Sequence, residues 1–201
     1  MEGAVADRFL PIIAQVVAQM AGASEFSAAR LYERLLAQLA EQFEADGAFL
    51  RHDNHTLRAS TLIAEWPRRA PASEPASPAK IDFVEDDIVL AGDLKAPAVF
   101  AADESTLVAG HGRASYVAVA PLLWGTVTTG VIGLTKSGGK RWAPDELDAL
   151  GVLAALFAQL QARIAVESRL HRLAEHYMAH DQPEKRPIDP SEAGPNPGAP
   201  S

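Results

Sequence analysis

One run of the sequence decides the fold: SYVAVAPLLWGTVTTGVIGLTK, residues 115–136. It is rich in β-branched residues, and the link Trp124-Gly125-Thr126 divides it into two halves. We therefore predict an antiparallel hairpin with strands from Ser115 to Leu123 and from Val127 to Lys136. Pro121 lies within the first strand and has no amide hydrogen, so we expect a bulge or an edge-facing position there.

A long helix is predicted after this hairpin. Pro144 suits the first helical position, and the acidic Asp145 and Glu146 suit the positive end of the helix dipole. The next proline is Pro183, so the helix extends as far as His180, about 55 Å at 1.5 Å per residue. Because a compact domain of this size is only about 30 Å across, we expect the far half of the helix to leave the domain.

Apolar residues along this helix follow steps of three and four, as in a coiled coil. The first series is Leu150, Leu153, Phe157, Leu160 and Ile164, and a second series continues through Val166, Leu170, Leu173 and Tyr177. We predict that this stripe pairs with a second copy of the chain in a homodimer, parallel or antiparallel. The change of phase between Ile164 and Val166 resembles an interruption in a heptad pattern.

Two amphipathic helices are predicted ahead of the sheet. Apolar residues recur at spacings of three and four from Val5 to Met20, with Pro11 denting the helix. A second helix follows the serine-containing break at 23–27 and continues to about Glu44. The first helix needs either the domain or a partner helix to cover its apolar stripe.

Further strands are predicted between these helices and the hairpin. After Asp46-Gly47, the strand Ala48 to His52 turns into a second strand, roughly Thr56 to Trp66, which makes the two antiparallel neighbours. The proline-rich segment 67–80 is a spacer loop. Beyond it we expect short strands at 81–84 and 98–100 with a short helix at 86–95.

The composition bounds the function classes. The chain has 201 residues, 48% of them apolar, a formal net charge of -8 and no cysteine. That length suits one domain with appendages. Nucleic acid is not expected as a partner, because binding to phosphates needs clustered Lys and Arg. The lack of cysteine excludes disulfides, thiolate nucleophiles, thiolate metal sites and thioether-linked chromophores.

The stretch from Phe9 to Ala23 has the apolar character of a signal-peptide core. However, the acidic Glu2 and Asp7 precede it, whereas secretion signals carry net positive charge there. Gln15 and Gln19 also interrupt the apolar run. No other window approaches the roughly 20 apolar residues that a membrane span needs, so we expect a cytoplasmic protein with no membrane partner.

Several strings resemble the GAF domain family. Leu35-Leu36-Ala37-Gln38-Leu39-Ala40 with Ala45-Asp46-Gly47-Ala48 resembles its first helix and strand. Val119-Ala120-Pro121-Leu122 with Gly130-Val131-Ile132-Gly133-Leu134 resembles its central strands, and 141–147 resembles its entry into the final helix. The resemblance covers about 27–169. It implies an α/β (α+β), GAF/PAS-like fold: a mostly antiparallel sheet of about five to six strands, flanked by N- and C-terminal helices.

The resemblance is closest to GAF domains that precede GGDEF and EAL domains in bacterial cyclic-di-GMP signalling proteins. Leu170-His171-Arg172-Leu173-Ala174-Glu175-His176 looks like the signalling helix that runs into a GGDEF domain. The opening expected next is missing, and no GGDEF or EAL motif occurs in the sequence. The resemblance therefore implies sensing and dimerisation without enzymatic activity. The pattern of cyclic-nucleotide-binding GAF domains is also unrecognisable, and the GAF-fold methionine sulfoxide reductases need reactive cysteines that this chain lacks.

The predicted ligand-binding residues are Phe83, His111, Arg113 and Tyr116. His111-Gly112-Arg113 precedes the Tyr116 strand, in a region that borders the ligand pocket of GAF domains. Arg113 suits a carboxylate or phosphate, and His111 suits an axial position on haem. The alternative is a solvated loop for the charged residues and ordinary core for Phe83, Tyr116 and Trp66. The sequence identifies no cofactor.

Two other groups of residues suggest a metal or acid–base site. His176 and His180 lie four apart on the helix, with Asp181 adjacent, which allows both imidazoles to reach one metal ion. The acidic run 85–87, near Asp82, has the composition of a cation site. Histidines at a helix end and carboxylates at a helix start also occur for reasons of helix dipole alone, so we predict no metal and no catalytic residue.

These patterns divide the chain into four parts. They are an N-terminal helix (1–23), a GAF domain (24–169), a signalling helix extension (170–181) and a disordered tail (182–201). We predict a non-enzymatic sensor that binds a small molecule and signals to a partner protein through its helical dimer. The alternatives are a ligand-free dimerisation module and, third, a metal-dependent enzyme built on His176 and His180.

Overall fold

A computed structural model describes residues 3–56, 59–67, 80–82, 94–101 and 116–180. The chain divides into two units, one through Glu167 and one from Ser168. The described elements are α1 (Gly3–Ala21), α2 (Ala28–Gln42), β1 (Gly47–Asn54), β2 (Ala59–Trp66), β3 (Lys80–Asp82), β4 (Ala98–Ala101), β5 (Tyr116–Trp124), β6 (Val127–Lys136) and α3 (Pro144–His180). The predicted order of elements is confirmed over these residues.

The described strands form one six-stranded sheet in the order β3-β2-β1-β6-β5-β4. Every pair of neighbours is antiparallel. The β5–β6 hairpin is the longest paired segment, and its turn uses Gly125 at φ 62°, a backbone conformation that glycine adopts without a side-chain clash. The antiparallel sheet of the predicted fold class is therefore confirmed.

Pro121 lies where the sheet tolerates proline. It pairs with Val131 of β6, and the ladder shifts register one residue later, between Leu122 and Leu123. On its other side, β5 pairs with β4 only as far as Val119. Among the described strands, Pro121 thus sits beyond the end of β4 and beside a bulge, as its missing amide predicts.

The main core lies between one face of the sheet and the three helices. Alternate residues of the central strands enter this core, among them Leu50, Leu122, Ile132 and Leu134, all fully buried. Helix α2 contributes its stripe of leucines, and Tyr32 of α2 stacks on a phenylalanine of α3 with ring centroids 6.1 Å apart. The helices therefore cover one face of the sheet.

Helix α1 belongs to this core. Phe9 and Val16 are buried in it, and the Phe9 ring stacks on Phe43 at 4.8 Å. The helix continues through Pro11, which is exposed. Arg163 holds the end of the helix, because it donates to the Met20 oxygen in the last turn at 2.5 Å and to the Ala23 oxygen just after it. The domain itself thus covers the apolar stripe of α1.

Helix α3 begins at Pro144 and ends at His180, as predicted. Leu150, Leu153, Phe157 and Leu160 are buried in the main core, and Ile164 packs against it partly buried. These five residues contact the rest of their own domain. For Leu150, Leu153, Phe157 and Leu160 the prediction of a dimer interface is corrected, because a side chain already buried in its own core has no surface left for a partner. For the partly buried Ile164 it stays a prediction.

The same helix qualifies as a membrane span by length and composition alone. Its window from Pro144 to Met178 was not recognised in the sequence, where no such window was expected. A core helix passes the same test, because residues that pack against a sheet are as apolar as residues that face lipid. The core contacts of its first half account for part of this apolar character, since 39% of the apolar window is buried.

Candidate functional site

The second face of the sheet carries a small apolar cluster that the described helices do not cover. Phe49, Val117, Val119 and Val131 are buried there, and Leu62, Leu94 and Phe100 pack against them partly buried. Side chains alternate between the two faces along each strand, so Phe49 points away from its core-facing neighbours Ala48 and Leu50. This second face is the candidate functional site.

Arg51 lies on this face and is fully buried. Its alternation with Phe49 along β1, which pairs regularly with β6, places it there. Its Nε donates to the Ser60 hydroxyl at 3.2 Å and its terminal nitrogen donates to the Ser60 carbonyl at 2.9 Å. Burial lowers the pKa of Arg51 to about 10, and the negative charge of Asp53 partly opposes this change.

Asp53 is the most unusual group of the face. Its side chain is only 4% exposed, yet neither carboxylate oxygen has a hydrogen-bond partner among the residues that the structure describes. Burial is the largest effect on this carboxyl and raises its pKa. Four neighbours oppose the rise: Ser60, His55, His52 and Arg51. The Ser60 hydroxyl lies close enough to lower the pKa of Asp53. It does not have the geometry of a hydrogen bond to either carboxylate oxygen.

A buried carboxylate without a partner costs stability, and the cost depends on pH. Because the folded protein raises the pKa of Asp53 above its ordinary value of 3.8, the folded state holds the proton more tightly than the unfolded state. The free energy of unfolding therefore falls as pH rises from about 3.8 through the raised folded pKa, and the whole penalty is present above it. The titration of Asp53 therefore makes the domain less stable at neutral pH than it is below about pH 3.8.

We expect Asp53→Asn to raise the free energy of unfolding by roughly 1–3 kcal/mol at neutral pH, since it removes a buried charge that lacks a partner. The gain should vanish at low pH, where Asp53 is protonated in the wild type. Urea unfolding across the pH range measures this difference. His52, His55 and Arg51 are unchanged in both proteins, and Asp148→Asn on the exposed surface of α3 is the matched control. A loss of stability at neutral pH in Asp53→Asn would contradict the assignment.

Of the four predicted ligand residues, the structure describes Tyr116 alone, so their grouping stays a prediction. Phe83, His111 and Arg113 lie outside the described residues. Tyr116 begins β5, and its carbonyl oxygen accepts a hydrogen bond from the Trp142 indole at 3.2 Å. Trp66 packs partly buried against the main core, on the helix side of the sheet.

Arg51 and Asp53 were missed in the sequence, although a signal for them existed. Phe49, Arg51 and Asp53 occupy every second position of strand β1, with Leu50 and His52 between them. Period-two alternation therefore assigns the two charges to the same face as a buried aromatic ring.

The suggested metal sites are only partly described by the structure. The acidic run 85–87, Asp181 and the His180 side chain lie outside what the structure describes. His176 is exposed on α3. Among the described residues, no cluster of three or more potential metal-ligating side chains occurs.

The start of α3 is fixed by a buried ion pair. Lys136 Nζ, at the end of β6, lies 2.7 Å from Glu146 Oε1, and both side chains are only 6% exposed. The other oxygen of Glu146 accepts the backbone N–H of Ala143 at 3.0 Å. Lys136 Nζ also lies 4.2 Å from the centre of the Trp142 ring, a cation–π contact. The sheet and the first turn of α3 are thereby linked through side chains.

The two apolar series of α3 lie on different faces of the helix. Ile164 packs against the core, whereas Val166 is 59% exposed. Two residues turn a helix by about 200°, so consecutive members of the two series point in nearly opposite directions. Leu170, Leu173 and Tyr177 continue the exposed series at 61%, 46% and 71%. What looked like an interrupted heptad is thus one core-facing stripe and one exposed stripe.

Comparison with known proteins identifies the family. A model of the GAF domain matches residues 7–160. The chain belongs to the GAF domain family. GAF domains are generally sensory and regulatory modules, and the predicted GAF fold is confirmed. The matched region includes most of α1, in keeping with the burial of that helix in the domain core.

Similar proteins include relatives and solved structures. The chain is 37% identical over 174 residues to an uncharacterized protein of Mycobacterium tuberculosis, matching 82% of this chain but 28% of that protein. The GAF domain of a phosphoenolpyruvate-protein phosphotransferase from Coxiella burnetii superposes with a TM-score of 0.66 at 16% identity, over 82% of this chain and 98% of that one. Free methionine-R-sulfoxide reductase from Neisseria meningitidis, in complex with its substrate, gives a TM-score of 0.62 at 15% identity, over 82% and 93%. At these identities the two structures establish the fold alone.

Proposed function

We propose that this GAF domain is a non-enzymatic sensor that binds a small molecule on the second face of its sheet. The observation that carries the proposal is Asp53, a buried carboxylate with no hydrogen-bond partner among the described residues. Leaving such a group unsatisfied is costly, and natural proteins keep such groups mainly where they serve a function. A ligand that donates hydrogen bonds to Asp53 removes this cost.

The surroundings of Asp53 suit an organic ligand. Phe49 and Val131 are buried apolar side chains of the same face, and Arg51 places a buried positive charge on it. Small-molecule sites typically combine an apolar lining with a few polar groups that fix orientation. The Neisseria reductase, whose structure holds its substrate, indicates that this fold is able to bind a small molecule. Its chemistry is not proposed for this chain.

The signal leaves the domain through α3 in this proposal. The buried pair of Lys136 and Glu146 joins β6 to the first turn of α3, so a change in the sheet is transmitted to the helix. In this proposal, the helix passes the signal to a cytoplasmic output domain or protein. The chain spans 28% of the mycobacterial relative that it matches, so that relative has room for further domains. We propose that the signal passes from α3 to output domains of the GGDEF and EAL type, or to a separate partner protein that carries them.

The exposed stripe of α3 is proposed as a homodimer contact. Val166, Leu170, Leu173 and Tyr177 are spaced by four, three and four residues, the spacing of a coiled-coil seam. All four are at least 46% exposed in the single chain. A second copy that presents the same stripe would bury them symmetrically.

Aspartate in this stripe is expected to abolish pairing. We expect the double variant Leu170→Asp/Leu173→Asp to be monomeric at protein concentrations where the wild type is dimeric, because buried charges without partners are costly. Sedimentation equilibrium measures the change. Arg172→Asp, which introduces the same residue off the stripe, is the control and should remain dimeric. A monomeric wild type at high concentration would refute the dimer proposal.

Ligand binding is tested on protein purified from its native cells. We expect native mass spectrometry to detect a bound small molecule, and we expect its removal to lower the melting temperature, with recovery when it is added back. The second candidate function, a ligand-free dimerisation module, is favoured by the exposed stripe alone. A dimer that carries no small molecule, and whose melting temperature responds to no metabolite fraction, would support this second candidate over the first.

A further inference from the structure

A cleft of about 380 Å³ opens beside the start of α3. It is lined by Val99 of β4, Tyr116 of β5, and Arg141 and Trp142 of the segment that enters α3. Val99 pairs with Ala118, whose side chain lies in the main core, so this cleft belongs to the helix side of the sheet. It is therefore distinct from the face that carries Asp53.

The polar groups of the cleft favour an anion. Arg141 is exposed and forms no ion pair with any residue of the described ranges. The Trp142 indole N–H is already used, because it donates to the Tyr116 carbonyl oxygen at 3.2 Å. Among the described residues that line the cleft, the groups left for a ligand are the Arg141 guanidinium and the Tyr116 hydroxyl. A guanidinium binds a carboxylate through two parallel hydrogen bonds.

The remaining surface of the cleft favours a flat ring. Tyr116 and Trp142 are both partly exposed, and aromatic side chains pack well against planar ligands. Its volume lies at the low end of the range typical of small-molecule sites, about 300–1,000 Å³. We propose that the cleft binds a planar aromatic carboxylate, with Arg141 pairing its charge and with Tyr116 and Trp142 packing its ring.

This site would act directly on the output helix. Trp142 contacts the Lys136 ammonium, and Lys136 pairs with Glu146 in the first turn of α3. A ligand that packs on Trp142 thus touches the residue next to the ion pair that fixes the helix start. The site goes beyond the sensor function proposed above and does not depend on any ligand at Asp53.

The test uses benzoate, with the neutral isostere benzamide as its partner probe. The chain has three tryptophans, so ¹H–¹⁵N spectra contain three indole signals, and Trp142→Phe identifies one of them. We expect benzoate to shift the Trp142 signal with a Kd on the order of millimolar, as suits so small a ligand. Benzamide should bind at least about tenfold more weakly, because it lacks the charge that Arg141 pairs with.

Two variants of equal charge separate the site from general electrostatics. Arg141→Gln should remove the preference for benzoate, whereas Lys140→Gln, at the exposed neighbouring position, should retain it. Equal binding of the two probes, unchanged binding in Arg141→Gln, or shifts confined to Trp66 and Trp124 would each overturn the proposal. None of these results bears on Asp53, so failure here leaves the second face of the sheet as the sensor site.

Discussion

Glu146→Gln is expected to lower the free energy of unfolding by about 3–5 kcal/mol. The substitution leaves Lys136 charged and buried, with its side chain 6% exposed and without the carboxylate of Glu146 to pair with. The amide oxygen of the new glutamine is able to accept the hydrogen bond from the Ala143 N–H, as Glu146 does. That bond does not replace the lost negative charge beside Lys136. Urea denaturation monitored by circular dichroism measures the loss.

The control for this prediction lies on the same helix. Arg163 and Glu167 form an exposed pair, with side chains 41% and 43% exposed and atoms 3.8 Å apart. Exposed pairs contribute about 0–1 kcal/mol, so Glu167→Gln should change stability little. Removing both buried charges, with Lys136→Met/Glu146→Leu, should restore much of the stability that Glu146→Gln loses, because no isolated charge remains. A small effect of Glu146→Gln alone would mean that water reaches Lys136.

Periodicity was the signal from which the framework could be predicted. The alternation in β5 and β6, the three-and-four spacing of α1 and α2, and the Pro144 start of α3 each depend on local sequence, and the structure confirms them. These signals persist because one face of each element must be apolar to reach the core. Core residues therefore recur at regular spacings, and a short stretch of sequence is enough to show those spacings.

Sequence alone did not indicate which apolar residues of α3 face the core and which face solvent. Leu150 and Leu170 look alike in sequence, yet the first is fully buried and the second is 61% exposed. The difference arises because a sheet contacts α3 along its first half, and sheet contacts join residues far apart in the chain. Spacing alone gives the period of a stripe but not its partner. This is why core and dimer residues were merged into one interface.

The site was harder still to predict. Candidate residues were chosen for their chemical type in loops, such as His111 and Arg113, which lie outside the described residues. Arg51 and Asp53 were passed over because they sit in a strand, where charges usually face solvent. Both residues are notable because they are buried. Their burial arises only when β1 pairs with its neighbouring strands, and one contact formed in this way is the hydrogen bond from Arg51 to Ser60. Alternation along β1 indicates that the two charges share a face with Phe49, but the burial of that face depends on contacts between distant parts of the chain.

Two glycines of β6 make the closest approaches to β1, and they are expected to respond differently to alanine. A Cβ at Gly130 would lie 2.1 Å from the backbone oxygen of Arg51, whereas a Cβ at Gly133 would lie 2.1 Å from the Phe49 ring. A side chain is able to rotate away, but a backbone carbonyl in a paired strand is not. We expect Gly133→Ala to cost about 1–3 kcal/mol, the usual range for overpacking, and Gly130→Ala to cost more.

A second substitution distinguishes the two mechanisms. Phe49→Leu should recover part of the stability lost in Gly133→Ala, because the smaller side chain leaves the space that the new methyl group needs, and a double-mutant cycle measures this coupling. The same change should recover nothing in Gly130→Ala, whose clash is with the main chain. Gly130→Ala must instead separate β1 from β6 beside Arg51, so it should also abolish ligand binding at Asp53. If the two alanine variants lose equal stability, or if Phe49→Leu rescues both, the backbone of β1 must move as readily as the Phe49 side chain. Such a mobile strand would not keep Asp53 buried.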